Sequence, residues 1–158
     1  VDIVDTADGF SVNVTGEGTT KDTLQIIGKS GTGVLSGATI NTSLKQFKLK
    51  DVTLAGNALF ADGLQKMDLT DVTPIGDAQA EVQINDNDAF KNLQFKAKDV
   101  TNLTVLSDID VKLIKANDYR NTNAMENVFE APEFLKGDKT LKVKGLAEVT
   151  LVETGIVA

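Results

Sequence analysis

The chain contains no cysteine, no histidine and no tryptophan, and only two prolines and one tyrosine. Without cysteine there is no disulfide framework and no thiolate metal site. Without histidine, the commonest general base and the usual ligand for zinc, copper or iron are both missing. Most nucleophilic and metal-hydrolytic mechanisms therefore lose their working groups. No apolar run approaches the roughly 18 residues that span a bilayer, so membrane insertion is not expected. Positive charge is in deficit, with a net charge of -7. That balance argues against nonspecific binding to nucleic acid or to an anionic membrane.

What the chain does contain is Thr, Asn, Asp, Gly and Val in quantity, a mixture typical of β proteins with many turns. Its 158 residues suffice for one domain with a real core. It starts at Val1 with no signal-peptide pattern, and reads as a mature or excised form.

The internal order is repetitive. Phe47–Thr53 (FKLKDVT), Met67–Thr73 (MDLTDVT), Phe95–Thr101 (FKAKDVT) and Ile114–Arg120 (IKANDYR) vary one pattern, and Leu141–Ala147 (LKVKGLA) keeps its apolar spacing. The aligned aspartates Asp51, Asp71, Asp99 and Asp118 are spaced by 20, 28 and 19 residues. At an offset of 20, Ala38 also matches Ala58, Ile40 matches Phe60, Leu44 matches Leu64, Gly56 matches Gly76 and Ala58 matches Ala78. Repetition at this length implies stacked strands with ladders of like side chains.

Phe47, Met67, Phe95, Ile114 and Leu141 would form one buried ladder, and Leu49, Leu69, Ala97, Ala116 and Val143 a second. Val52, Val72, Val100, Tyr119 and Leu146 would turn the corner. The expected fold is all-β: a repeat-built stacked-strand domain, leucine-rich-repeat-like or a β-solenoid. The alternative is a β-sandwich or jelly roll of antiparallel strands. Residues 1–158 form one domain: 1–33 an N-terminal cap, 34–120 the repeats, 121–158 an irregular segment and a C-terminal repeat or cap. Phe10–Thr15 and Thr23–Ile27 read as a capping hairpin, with turns at 16–18 and 29–33. Asn57–Leu64 and Ala124–Phe129 are the candidates for short helical turns. The longer steps hold an extra loop or short strand at 81–88 and an irregular stretch at 121–138.

The segment Leu64–Ala78 (LQKMDLTDVTPIGDA), with pieces in Leu44–Phe60 and Asp88–Asn92, resembles the bacterial surface-antigen type of leucine-rich repeat over roughly residues 34–105. That resemblance implies an extracellular, non-enzymatic protein of adhesion and surface contact.

Three constellations bear on function. Lys48, Lys50, Lys96, Lys98, Lys115, Lys142 and Lys144 occupy outward positions of the repeated strand, interrupted by Asp68. They form a basic stripe for an anionic glycan or another copy's acidic surface, or simply lysines that keep an exposed sheet soluble. The aspartate ladder could share calcium, or could end each strand with a local backbone bond. Asp2, Asp5 and Asp8, and Asp86 and Asp88, loosely resemble calcium loops but lack the twelve-residue pattern. Asp118-Tyr119-Arg120 is the one group that a lyase could use. Sequons stand at Asn13, Asn41 and Asn102.

The expected function is a non-enzymatic extracellular surface protein, either a structural subunit or an adhesive module using an exposed sheet face. The alternative is a calcium-dependent self-assembling surface-layer, filament or virion component, and a polysaccharide-processing enzyme is the remaining class. Partners would be copies of itself, other surface proteins or an anionic glycan, and calcium is the one cofactor to consider. Phe10–Thr15 and Ala147–Val152 are candidates for pairing between copies.

Overall fold

A computed structural model describes residues 1–16, 21–29, 33–86 and 88–155. Glu17 and Gly18 of the first expected turn, residues 30–32 of the second, and Asn87 lie outside the described residues. The strands are β1 (Asp2–Thr6), β2 (Gly9–Thr15), β3 (Thr23–Ile27), β4 (Gly33–Asn41), β5 (Leu44–Lys50) and β6 (Val52–Phe60). They continue as β7 (Leu64–Asp68), β8 (Asp71–Val72), β9 (Ala80–Ile84), β10 (Leu93–Lys96), β11 (Asp99–Thr101) and β12 (Leu103–Ser107). The last five are β13 (Val111–Ala116), β14 (Asp118–Arg120), β15 (Val128–Ala131), β16 (Leu141–Val143) and β17 (Thr150–Glu153).

These strands wind into a β-solenoid of about 6 turns. A front sheet has the order β3-β5-β7-β10-β13-β16, and a back sheet runs β1-β2-β4-β6-β9-β12-β15-β17. A narrow third side is made by β8, β11, β14 and the first halves of β4 and β6. Among the described residues every strand pairing is parallel except β1 with β2. Parallel order rules out the antiparallel sandwich, because each strand must travel around the core before meeting its equivalent.

Period-2 alternation points every second side chain inward. On the front sheet Leu24, Phe47, Met67, Phe95, Ile114 and Leu141 stand in register as one column. On the back sheet Val12, Ala38, Ala58, Val82, Val105, Phe129 and Leu151 do the same. The side row is Leu35, Leu54, Val72, Val100 and Tyr119, all buried. Edge-to-face rings lock front to back: Phe47 on Phe60 at 5.1 Å and Phe95 on Phe129 at 5.5 Å between centroids. Each fully buried Phe or Leu contributes about 1.5–3 kcal/mol relative to exposure.

Where β4 and β6 bend from side to back, they press together. A Cβ on Gly56 would lie 1.9 Å from the Ser36 carbonyl oxygen, so only glycine fits there.

Several expectations change. The N-terminal hairpin is β1 with β2; β2 and β3 lie in different sheets, so Phe10–Thr15 does not pair with Thr23–Ile27. Both already belong to the stack, and Leu24 begins the column that Phe47 continues. Because β2 is paired on both edges, Phe10–Thr15 is not free to pair with another copy. Ala38, Ile40 and Leu44 do face Ala58, Phe60 and Leu64, but Ala58 faces Val82 rather than Ala78. Gly76 and Ala78 sit in an inserted corner loop, which breaks the 20-residue offset after Val72.

The expected helical turns are absent from the described residues at both places. Asn57–Phe60 is the end of β6, and Val128–Phe129 begins β15. Alternating burial outweighed weak helical propensity in both. Among the described residues the helical element is a 3-10 turn at Gly137–Thr140. Leu146 is 54% exposed, and Ala147 rather than Leu146 bridges to Tyr119. Gly145 shifts the corner by one residue, with its amide bonded to the Asn117 carbonyl.

Candidate binding face

The front sheet's outer face is built by the same alternation that builds its column. Gln25, Lys48, Asp68, Lys96, Lys115 and Lys142 stand in one register row. Two residues further along each strand, Lys50 stands beside Ile27, and Lys98 lies between Thr70 and Asn117 through backbone bonds of 2.8 and 2.7 Å. Lys144 follows on β16's outgoing end, its amide on the Ala116 carbonyl at 3.2 Å. All seven lysines expected on this face are on it.

Lys66 is an eighth that the repeat comparison missed. It stands in register between Gln46 and Gln94, two residues before Asp68. The signal was available: the period-2 rule that makes Asp68 outward makes Lys66 outward as well. The short Asp68 side chain leaves a shallow dent of about 110 Å³ lined by Gln46, Lys66, Gln94 and Lys96.

Among the described residues, none of the eight lysines forms an ion pair. The face thus holds at least eight lysines against one aspartate in register with them, in a chain of net charge -7. Successive strands lie about 4.8 Å apart, so Lys115 repels both Lys96 and Lys142, and the one carboxylate in the row, Asp68, stands beside Lys96.

The aspartates behave differently. Asp71, Asp99 and Asp118 are in register, but Asp51 is not, because Thr53 is the residue opposite Asp71. Asp51 instead takes a left-handed φ of 56° at the corner, its amide donating to Thr70 Oγ1. The carboxylates hand bonds from turn to turn. The Asp99 amide donates to Asp71 Oδ1 at 3.3 Å, and the Leu146 amide to Asp118 Oδ1 at 2.8 Å. Arg120 closes on Asp118 Oδ2 at 2.9 Å. The Leu146 amide first, and Arg120 after it, hold the Asp118 carboxyl below its usual range.

Tyr119 is fully buried, donates to the Leu103 carbonyl at 2.7 Å, and has its phenol pushed well above the ordinary range by burial. Asp118, Tyr119 and Arg120 therefore fasten the corner.

The acidic calcium candidates are not brought together. Asp2 and Asp5 sit three apart on β1 and so point to opposite sides, while Asp8 lies in the hairpin turn. Asp86 accepts the Asp88 amide at 2.8 Å, with Asp88 at φ 64°, a local turn. Among the described residues no three acidic side chains converge on one point. Of the sequons, Asn102 is buried with both ends of its amide bonded to Thr122, whereas Asn13 and Asn41 are exposed.

Two polar features lay outside the sequence reading. On the back sheet an open depression of about 500 Å³ is lined by Ser11, Asn13, Thr39, Asn57, Glu81 and Gln83 around Gly37. At the corner, Gln79 donates to Asn127 Oδ1 at 2.9 Å and Asn123 donates to Gln79 Oε1 at 2.9 Å, joining two inserted loops. Both depend on residues from different turns that share no repeated motif. No family model, no curated protein and no solved structure matches the chain.

Proposed function

We propose that this chain is a non-enzymatic extracellular surface module that holds an anionic partner against the outer face of its front sheet. The lysine ladder is the observation behind that reading. Core packing dictates what faces inward and leaves the outward residue free. Lysine nevertheless recurs there turn after turn, at the cost of like-charge repulsion. The missing histidine and cysteine, and the structural tasks of Asp118, Tyr119 and Arg120, speak for binding rather than chemistry. The partial resemblance to surface-antigen repeats speaks for a place outside the cell.

The test is chromatographic. At pH 7 and low salt, a chain of this acidity with evenly spread charge runs through a carboxylate cation-exchange resin. This protein should be retained, and a variant with Lys96, Lys98, Lys142 and Lys144 changed to Glu should not, with circular dichroism unchanged. Flow-through of the unaltered protein would remove the basic face as a binding surface.

A second reading, a self-assembling structural subunit, is favoured by β1. That strand stands at the edge of the back sheet with Ile3 67% and Val4 50% exposed. Edge strands with exposed apolar side chains pair with other strands. Light scattering after size exclusion, with and without calcium, tests it. A calcium-indifferent monomer for both the native chain and Ile3→Lys would exclude it.

A further inference from the structure

We infer that the partner of the basic face is a linear polycarboxylate, an acidic polysaccharide lying along the solenoid axis across the front strands. This rests on the basic face being the binding surface, and it adds direction, length and chemistry.

Direction follows from the rows. Lys96, Lys115 and Lys142 repeat across strands, about 4.8 Å apart. Lys98 and Lys144 form a second rail two residues along each strand, about 7 Å away. A chain laid between the rails can direct carboxylates to either side while advancing one unit per strand. A chain laid along a strand meets two lysines and then a corner.

Chemistry follows from the side-chain types. The face uses lysine only, and Arg120, the chain's one arginine, is on the narrow side holding Asp118. Ammonium groups are compact point charges with rotatable donors, suited to carboxylates in no fixed orientation; the planar fork of arginine suits fixed bidentate contacts. Gln46, Gln94, Thr70 and Asn117 flank the lysines with groups that exchange hydrogen bonds with hydroxyls.

Two other polyanions fit less well. Single-stranded nucleic acid needs aromatic platforms for its bases, and Phe47 and Phe95 are fully buried behind this face. The acidic row in register that a second copy could offer is Asp71, Asp99 and Asp118. Two of those carboxylates already accept backbone amides, and Arg120 puts a cation in their row.

The experiment is a calorimetric titration of the full chain with oligogalacturonates of one to eight units at low salt. Affinity should rise about tenfold or more from dimer to hexamer and then level off, as successive lysine-bearing strands are engaged. The logarithm of the affinity should fall linearly with the logarithm of salt concentration. Lys96→Gln with Lys115→Gln should cost at least about tenfold for the hexamer and flatten the salt dependence. Asp68→Lys should join Lys48 to Lys96 and strengthen binding of the long oligomers several-fold, leaving the dimer unchanged.

Length-independent affinity, or no gain from Asp68→Lys, would overturn the axial placement. Equal binding of polyglutamate at matched charge would overturn the saccharide while leaving the basic face standing. Binding of anionic lipid vesicles with none of the uronates would assign the face to a membrane surface. Failure to bind uronates, polyglutamate and vesicles alike would overturn the basic-face reading as well.

Discussion

The front and back sheets enclose the same core and show solvent different chemistry. Inside, Phe47 and Phe95 from the front meet Phe60 and Phe129 from the back, and all four are fully buried. Outside, the front presents lysines in register, with no ion pair among the described residues. The back presents Asn13, Thr39, Asn57 and Gln83 around a concave patch, with the carboxylates of Asp2, Glu81 and Glu130 among its outward side chains. The shared interior shows that a strand's inward residues answer to packing. The unlike exteriors show that outward residues are free to answer to something else. Substitutions on the two sides of one strand should therefore separate cleanly, in stability for inward positions and in binding for outward ones.

The largest effects belong to the rings between the sheets. Phe95→Ala and Phe129→Ala should each destabilise by about 3–5 kcal/mol in urea denaturation, as buried aromatics do. Their rings touch, so the double mutant should lose less than the sum, by about 0.5–1.5 kcal/mol. Strict additivity would mean the two sheets are not coupled through this pair. Leu69→Ala, on the front sheet's second inward row, should cost about 2–5 kcal/mol. A loss under about 0.5 kcal/mol would put Leu69 on the outside and shift the whole lysine register with it.

Tyr119→Phe keeps the ring and deletes the hydroxyl, leaving the buried Leu103 carbonyl without its partner. A loss of about 1–3 kcal/mol is expected. No measurable change would mean that water or another donor reaches that oxygen. By contrast, Lys115→Gln on the outer face should stay within about 0.5 kcal/mol of the native stability. A larger loss there would make the lysine structural and undo the contrast between the two sides.

The columns were legible because apolar side chains at fixed spacing have one physical use, and a stack of parallel strands turns that spacing into register. Phe47, Met67, Phe95, Ile114 and Leu141 were readable as one ladder, and so were the lysines between them. The first turn was not, since Leu24 and Ile26 follow a different corner and carry no aspartate. Nor was β15: Phe129 and Ala131 alternate correctly, but Asn121–Asn127 and the 3-10 turn around them hide a four-residue strand in polar surroundings. Corners vary in length because a loop adds residues without disturbing the next register. A fixed offset therefore fails after Val72 while the strands themselves stay aligned. The side-chain network of Gln79, Asn123 and Asn127 was beyond reach for the same reason. Its members lie two turns apart and meet only because the intervening turn rounds the corner at Asn102.

Asp118 gives the sharpest test of whether the narrow side is structural. Its carboxylate accepts the Leu146 amide and holds Arg120, and both lower its native pKa relative to the unfolded chain. A depressed native pKa means that the ionised form is favoured by folding. The resulting stability is fully present above the unfolded value, about 3.9, and is lost as pH falls through the native value. Asp118→Asn keeps an acceptor for Leu146 but no charge for Arg120. The native chain should be the more stable by a gap that stays constant from pH 7 to about pH 4 and closes only in stronger acid. Urea midpoints of the two proteins across that range measure the gap. A gap independent of pH down to full protonation would mean that folding does not favour the charged carboxylate at the corner. The aspartate row would then be as free of structural duty as the lysine row beside it, and a second copy's acidic side would return as a partner for the basic face.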